Sequence, residues 1–194
     1  MPKNSLTPKK IKVGFDFDGV ILYNPARIAR PLVTFFKKKI LKKKTTRFYV
    51  PKSKFARAIF QIFHWSSIFP ANGIAQIKQM VKNGEIEAYL ITARYDFLEP
   101  DLRHWIKKLD LEPYFKAVYL NSKNEQPHQY KERLINELGL DIFVEDNYDI
   151  VTHLNKKTKS KVLWVYNILD RWTYYQHKVP NLKIAVSRVQ NHLR

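Results

Sequence analysis

Apolar runs of strand length recur along the chain. The first, residues 11–17 (IKVGFDF), is rich in β-forming residues and ends abruptly in Asp-Gly. Continuous apolar runs of this length are typical of strands that are buried on both faces of a parallel sheet. We therefore predict six strands, at 11–17, 86–91, 116–120, 141–145, 161–166 and 182–187.

Helical patterns alternate with these runs. In 101–109, which begins with Asp101, apolar residues recur at i, i+3, i+4 and i+7, and 128–138 has one apolar face and is followed by Gly139 as a stop signal. This alternation predicts an α/β fold, a Rossmann-like parallel sheet with helices on both faces. In such sheets the active site lies at the carboxyl ends of the strands.

The interval 24–84 interrupts the alternation. It contains two lysine runs, 37–39 and 42–44, and then an aromatic, apolar stretch at 55–69. We predict a small helical cap inserted after the first strand at 24–84, with 1–23 and 85–194 forming the catalytic core.

The charge of the chain is concentrated in this interval. Of 194 residues with a net charge of +18, the segment from Gly19 to Gly84 has 14 Lys and Arg and no Asp or Glu, whereas the remainder has 21 basic and 17 acidic residues. Cysteine is absent, which excludes disulfides and thiolate sites. No secretory signal and no apolar stretch of membrane-spanning length is visible, so a cytoplasmic location is expected.

Two carboxylates, Asp16 and Asp18, lie at the end of the first predicted strand in FDFDG. Side chains two apart on a strand can point the same way, and such a pair can share a hard cation such as Mg²⁺. One carboxylate can also act as a nucleophile and the other as an acid or base. The alternative for this motif alone is a solvated Asp-Gly turn.

Three further motifs accompany this pair in a fixed order. They are a strand that ends in Thr92 (AYLITAR), a helix with Lys131 (HQYKERLINELG) and a strand that ends in Glu145-Asp146 (DIFVEDN). With VGFDFDGVI as the first motif, the chain resembles the haloacid dehalogenase superfamily across about 11–23 and 86–166.

The resemblance implies a phosphoaspartyl mechanism. Asp16 would be the nucleophile and, with Asp18 through its backbone carbonyl, a Mg²⁺ ligand. The side chain of Asp18 would protonate the leaving group and then activate water. Thr92 and Lys131 would hold the phosphoryl oxygens, and Asp146 with Glu145 would complete the metal site.

Some assignments have alternatives. Lys123 competes with Lys131 as the phosphate-binding lysine, and Lys131 is preferred because its helix leads directly into the fourth strand. Arg94, two residues after Thr92, is a further candidate phosphate contact, with an ordinary loop arginine as the alternative. Asn147 either orients the metal ligands or caps a helix.

Other polar and aromatic residues are expected to be structural. Asp149 is expected at a helix N-terminus, with a supporting role behind the metal ligands as the alternative. His64 is expected to be packed rather than catalytic. The aromatics after the fifth strand are expected to pack rather than to stack on bases: Trp164, Tyr166, Trp172, Tyr174 and Tyr175.

The basic stretch 37–57, which has ten basic residues and no acidic one, allows three interpretations beside a solvated charge run. It can collect phosphates, contact nucleic acid or lie on an anionic membrane surface. The preferred function is a phosphomonoester hydrolase of the nucleotidase-like branch, acting on a nucleotide or another small phosphate ester. The alternatives are a phosphatase for nucleic-acid ends and a catalytically silent protein that binds through its basic insertion.

Overall fold

The structure is a computed structural model that describes residues 10–23, 48–51, 53–65 and 68–193, without the side chain of Phe63. The lysine runs 37–39 and 42–44, and most of the basic stretch 37–57, lie outside the described residues.

Eight strands are present in the described residues: β1 Ile11–Phe15, β2 Leu22–Tyr23, β3 Phe69–Pro70, β4 Ile86–Tyr95, β5 Phe115–Asn121, β6 Ile142–Glu145, β7 Lys161–Val165 and β8 Lys178–Val179. Six of them form a parallel sheet in the order β5-β4-β1-β6-β7-β8. The remaining two, β2 and β3, form a short antiparallel pair. All carboxyl ends of the main sheet therefore lie along one edge, with β4 and β6 on either side of β1.

Six helices complete the described fold: α1 Lys54–Trp65, α2 Ile74–Lys82, α3 Glu99–Lys108, α4 Pro127–Leu138, α5 Tyr148–Lys157 and α6 Leu182–His192. Short 3-10 turns lie at Asp96–Leu98 and Ile168–Asp170. The α4 helix ends as the sequence predicts, because Gly139 adopts a left-handed conformation with φ of 59°.

The sheet has a separate apolar layer on each face. Along β4, Leu90 packs with α2, α3 and α6, whereas its neighbours Tyr89 and Ile91 pack with α4 and α5. The same alternation occurs in β6, where Val144 and Phe143 point to opposite layers. The predicted α/β fold, a parallel sheet with helices on both faces, is confirmed.

The first five predicted strands and both predicted helices are present, but the strand predicted at 182–187 is wrong. These residues begin α6, whose buried side chains are Leu182, Ala185, Val186 and Val189. That spacing follows the helical period, and Ile184 is partly exposed. The side chain of Asn181 caps the helix by accepting a hydrogen bond from the Ile184 N–H.

The described part of the 24–84 interval has two kinds of element. The α2 helix packs on the sheet, where Ile77 and Met80 are buried among core residues. The α1 helix lies at the carboxyl edge of the sheet, where the Phe60 ring contacts the Tyr95 ring at 6.2 Å between centroids. The division into a core and a cap at 24–84 stays a prediction.

Within the described residues, no helix combines the length and the apolar composition needed to cross a bilayer. The cytoplasmic location stays a prediction.

Candidate active site

The acidic and polar residues predicted for the site come from three adjacent strand ends. Asp16 follows β1, Thr92 lies three residues before the end of β4 and Glu145 ends β6. The Asp16 backbone N–H donates to the Val144 carbonyl at 2.9 Å, which extends the β1–β6 pairing to the nucleophile candidate. The sheet order therefore brings together residues that are far apart in the sequence.

A tight turn after β1 determines where Asp18 points. The Ile21 and Leu22 N–H groups both donate to the Phe17 carbonyl, and the Gly19 N–H donates to the Leu22 carbonyl. Gly19 has φ of +81°, and an added Cβ would lie 2.1 Å from the Asp146 Oδ2. Glycine is required here both for the backbone conformation and for the space beside Asp146.

Three carboxylates converge at this edge. Asp16, Glu145 and Asp146 each offer an oxygen, and these oxygens lie within 4.8 Å of one another. All three side chains are buried. Lys131 of α4, also buried, joins two of them: its Nζ is 2.9 Å from the Asp16 Oδ2 and 2.6 Å from the Glu145 Oε2.

Backbone donors fix two of these carboxylates further. The Phe17 N–H donates to the Asp16 Oδ1 at 2.8 Å, and the Asn147 N–H donates to the Glu145 Oε1 at 2.9 Å. The Trp164 indole N–H donates to the backbone carbonyl of Asp146 at 3.1 Å. The orientation of the cluster is therefore determined by the surrounding fold.

The cluster concentrates ionisable groups in a buried site. Three carboxyl groups converge, and Lys131 forms ion pairs with two of them, Asp16 and Glu145. Burial raises the pKa of Asp16 well above its usual value, against the opposing effect of Lys131, and the neighbouring carboxylates raise it further. Burial likewise raises the pKa of Glu145. The pKa of Lys131 is also raised, because its two carboxylate partners outweigh the effect of burial.

Asp18 belongs to a second charged group. The Arg94 guanidinium donates to both of its carboxylate oxygens, from Nε and Nη2 at 2.8 Å each, and from Nη1 to the Asp101 Oδ2 at 2.5 Å. Burial acts to raise the pKa of Asp18, but Arg94 outweighs it and lowers the pKa well below the usual value. The pKa values of Asp16 and Asp18 are therefore shifted in opposite directions. Asp18 pairs with a guanidinium, whereas Asp16 lies among other carboxylates.

Arg94 lies in the site, but its guanidinium is already paired with two carboxylates. It is 2% exposed and holds Asp18 and Asp101 in place. Its predicted contact with phosphate stays a prediction. The side chain of Asp18 is not one of the three converging carboxylates. Its predicted role as a metal ligand, through the backbone carbonyl, stays a prediction.

A cavity of about 250 Å³ opens above the carboxylates. Its floor includes Asp16, Thr92, Lys131 and Asp146, and Thr92 is 1% exposed with its Oγ1 accepting a hydrogen bond from the Arg94 N–H. Its walls are largely apolar and aromatic, made by Phe48, Phe60, Tyr95, Pro127 and Ile150. The polar floor and the apolar walls suit a ligand with one charged end.

The wall from α1 contains a residue that the sequence analysis did not assign to the site. His64 lines the cavity, and its Nδ1 lies 3.6 Å from the Asp18 Oδ2. Asp101, expected only as a helix N-terminal residue, also reaches the site through Arg94. Neither contact has a signal in the local sequence, because each joins elements that only the tertiary fold brings together.

The alternatives for the two lysines and for Asn147 differ in their positions in the structure. Lys131 lies in the site, whereas Lys123 is exposed. Asn147 caps α5, since its side chain accepts a hydrogen bond from the Asp149 N–H at 3.1 Å, and Asp149 lies in the first turn of that helix.

The aromatics after β7 divide into two groups. Trp164 is fully buried, and the Tyr175 hydroxyl donates to the Val162 carbonyl at 3.0 Å. Trp172 and Tyr174 are 77% and 86% exposed, so the expected packing does not apply to these two.

No protein-family model matches the chain, and no curated protein matches it in sequence. Solved structures do match in fold. A HAD-superfamily hydrolase from Ehrlichia chaffeensis is 12% identical and aligns over 96% of this chain and 100% of its own, with a TM-score of 0.55.

Two further structures give the same result. A family IA, variant 3 HAD hydrolase from Entamoeba histolytica is 14% identical over 93% of this chain and 100% of its own, with a TM-score of 0.56. CbbY from Rhodobacter sphaeroides, solved in complex with phosphate, is 11% identical over 90% of this chain and 96% of its own, with a TM-score of 0.59. The chain therefore has the fold of the HAD-superfamily hydrolases.

Proposed function

We propose that the protein is a Mg²⁺-dependent phosphomonoester hydrolase that works through a phosphoaspartyl intermediate on Asp16. The observation that carries this proposal is the convergence of Asp16, Glu145 and Asp146 with Lys131 on the floor of one cavity. The shared fold with HAD-superfamily hydrolases supports the same chemistry.

The donor set fits Mg²⁺. All three converging ligands are carboxylates, the hard oxygen donors that Mg²⁺ prefers. All three carboxylates are buried and converge within 4.8 Å, and a divalent cation bound among them would offset their mutual repulsion. When bound, the cation would screen an anionic phosphate from the Asp16 carboxylate and stabilise the charge of the transferring group.

The protein groups around Asp16 suit an attack on phosphorus. The carboxylate is held by the Phe17 N–H on one oxygen and by Lys131 on the other, so its position is fixed before substrate arrives. An Asp16 oxygen forms the new P–O bond as the ester P–O bond breaks. Lys131 and Thr92 line the same cavity as Asp16, and we expect their ammonium and hydroxyl groups to hold the phosphoryl oxygens during this transfer.

Asp18 is suited to the second step. The ion pair with Arg94 favours its carboxylate form, which accepts a proton from the water that attacks the phosphoaspartyl group. In the first step, protonation of the leaving oxygen works against this ion pair. We therefore expect aryl phosphates, whose leaving groups depart without full protonation, to be hydrolysed faster than alkyl phosphates.

The cavity favours a small ester with a flat leaving group. Its volume of about 250 Å³ admits a small phosphorylated molecule, and Phe48, Phe60 and Tyr95 provide aromatic walls above the polar floor. A nucleotide, as expected for the nucleotidase-like branch, is a small ester with a flat base, and its sugar alcohol makes it one of the slower alkyl phosphates. Phosphorylated nucleic-acid ends are the alternative substrate, supported by the basic charge of the 24–84 interval.

The first test compares hydrolysis of para-nitrophenyl phosphate by wild type and by Asp16→Asn, with Mg²⁺ and with a chelator. We expect activity only in wild type with Mg²⁺, and a phosphorylated Asp16 in acid-quenched samples by mass spectrometry. Turnover that persists in Asp16→Asn contradicts the nucleophile assignment. Mg²⁺ binding by wild type without hydrolysis of any ester would favour the catalytically silent alternative.

The second test identifies the ester. A panel of nucleoside monophosphates and sugar phosphates is run beside oligonucleotides with 3′- and 5′-phosphates. A higher kcat/KM for a nucleoside monophosphate than for the oligonucleotides supports the small-ester assignment, and the reverse order supports nucleic-acid ends.

A further inference from the structure

The α1 helix has an apolar face that points away from the active site. Phe55, Ile59, Ile62 and Trp65, here named the outer face, are 77%, 38%, 62% and 56% exposed. Their spacing along Lys54–Trp65 places them on one side of the helix. A contiguous, exposed apolar stripe of this kind is unusual on the surface of a globular protein and indicates a binding surface.

The opposite side of the same helix already has its partners. The Phe60 ring contacts the rings of Tyr95 and Tyr49, with centroids 6.2 Å and 6.0 Å away. The Arg57 guanidinium lies 5.3 Å from the centroid of the Phe97 ring, and His64 reaches Asp18. Docking of α1 over the cavity therefore uses the inner side, and the outer face is not needed for it.

The apolar surface continues beyond the end of the helix. Ile68 and Phe69 are 47% and 54% exposed, and Tyr23, which pairs with Phe69 across β2 and β3, is 40% exposed. Aromatic and aliphatic side chains are thus presented to solvent from both α1 and the β2–β3 pair.

The segment of the sequence that contains this surface has charged residues of one sign. From Gly19 to Gly84 the sequence has 14 basic residues and no acidic one, and α1 itself has Lys54 and Arg57 without an acid. A cationic segment with exposed Phe, Ile and Trp matches the chemistry of an anionic lipid interface, where the apolar groups insert and the basic groups meet the headgroups. Contacts to a nucleic-acid backbone would leave Ile59 and Ile62 without a role. Two copies of a chain with a net charge of +18 repel one another.

We propose that the outer face of α1 binds the surface of membranes that contain anionic phospholipids. The helix lies in the plane of the interface with Phe55, Ile59, Ile62 and Trp65 towards the acyl chains. Because its inner side covers the cavity, the catalytic pocket lies about one helix diameter, ~10 Å, from the lipid surface. This proposal does not depend on the hydrolase activity.

The test is flotation of the full chain with vesicles of phosphatidylcholine alone or of phosphatidylcholine and phosphatidylglycerol in equal amounts. We expect the protein to float with the mixed vesicles and to remain free with the neutral ones. Raising the salt concentration should weaken binding without abolishing it, since the apolar part of the interaction is not screened.

Matched variants locate the surface. The double variant Phe55→Ser/Ile62→Ser should raise the lipid concentration for half-maximal binding by about tenfold or more. The control is Trp172→Ser/Tyr174→Ser, which changes equally exposed aromatics elsewhere and should bind like wild type. Circular dichroism and thermal unfolding check that both variants are folded.

Tryptophan fluorescence gives an independent measurement. Brominated lipids should quench the tryptophan fluorescence of wild type and of Trp172→Phe. In Trp65→Phe most of this quenching should be lost. Equal binding to neutral vesicles, or unchanged binding by the Phe55/Ile62 variant, overturns the proposal. So does salt-sensitive binding to oligonucleotides without vesicle binding, a concentration-dependent dimer that the same variant dissociates, or a Trp65 that acrylamide cannot reach in the free protein.

Discussion

Gly19 offers a direct test of the cation site, because one added methyl group would meet a carboxylate of the site. In Gly19→Ala the new Cβ would lie 2.1 Å from the Asp146 Oδ2 and 2.4 Å from its Cγ. The Asp146 carboxylate must therefore move by about 1 Å to restore ordinary contact. The residue also keeps φ near +81°, which alanine adopts only with strain.

Two separate losses follow from this substitution. The left-handed conformation costs roughly 1–2 kcal/mol of folding free energy, partly offset by the lower entropy of the unfolded chain. For a chain of this length, each 1 kcal/mol lowers Tm by about 2–4 °C. The displaced carboxylate should also weaken Mg²⁺ binding by about 10- to 100-fold, because Mg²⁺ demands near-ideal geometry.

The matched control is Gly139→Ala at the end of α4. Gly139 also has a positive φ, +59°, but an added Cβ there meets nothing within 4 Å. Calorimetric titration with Mg²⁺ and thermal unfolding are measured for both variants. We expect similar losses of stability, with weaker Mg²⁺ binding and slower hydrolysis only in Gly19→Ala. Equal Mg²⁺ affinity in the two variants would refute the placement of Asp146 at the cation site.

Four further predictions concern the charged groups. Lys131→Met should lower kcat by about 100- to 1,000-fold, since it removes a cation beside the transferring phosphate, whereas Lys123→Met at an exposed position should keep the wild-type rate. Arg94→Met should lower the free energy of unfolding in urea by about 3–5 kcal/mol, because the Asp18 carboxylate is left buried without its guanidinium partner. An unchanged free energy of unfolding would contradict that ion pair. The ion pair of Asp18 should stabilise the fold fully above the usual carboxyl pKa of 3.8, and this contribution should be lost as the pH falls through the lowered pKa of the folded state. Asp18→Asn should therefore make acid unfolding less steep below about pH 4. The raised pKa of Asp16 means that protons compete with Mg²⁺ at a pH above the usual 3.8 of a carboxyl group. The rise in Tm on adding Mg²⁺ should therefore shrink as the pH is lowered, and a constant rise would contradict this linkage.

Much of the fold could be predicted because buried parallel strands are short, continuous apolar runs. The runs at 11–17 and 141–145 correspond to β1 and β6, and their polar ends lie at the edge of the sheet that contains the candidate site. The run 182–187 was misleading, since Leu182, Ile184 and Val186 alternate like a strand. Its helical period becomes visible only when Ala185 and Val189 are included, and a six-residue window is too short to distinguish the two periods.

The partners within the site were less predictable. Asp16, Lys131 and Glu145 could be found because each belongs to a local motif. The bidentate pair of Arg94 with Asp18 joins positions 76 residues apart, and it depends on the turn after β1 that directs Asp18 towards β4. No local pattern encodes such a contact, so the tertiary structure was needed to find it.

The order of the strands also has a consequence for biosynthesis. The proposed cation ligands are residues 16, 145 and 146, and β1 must be flanked by β4 and β6 before these side chains can meet. Parallel pairing between distant segments closes late and slowly during folding. A nascent chain with only its first hundred or so residues outside the ribosome would have Asp16 but no partner for it. Mg²⁺ would then bind only after the strands β1, β4 and β6 have assembled, and an incompletely synthesised chain would be unable to attack phosphate esters.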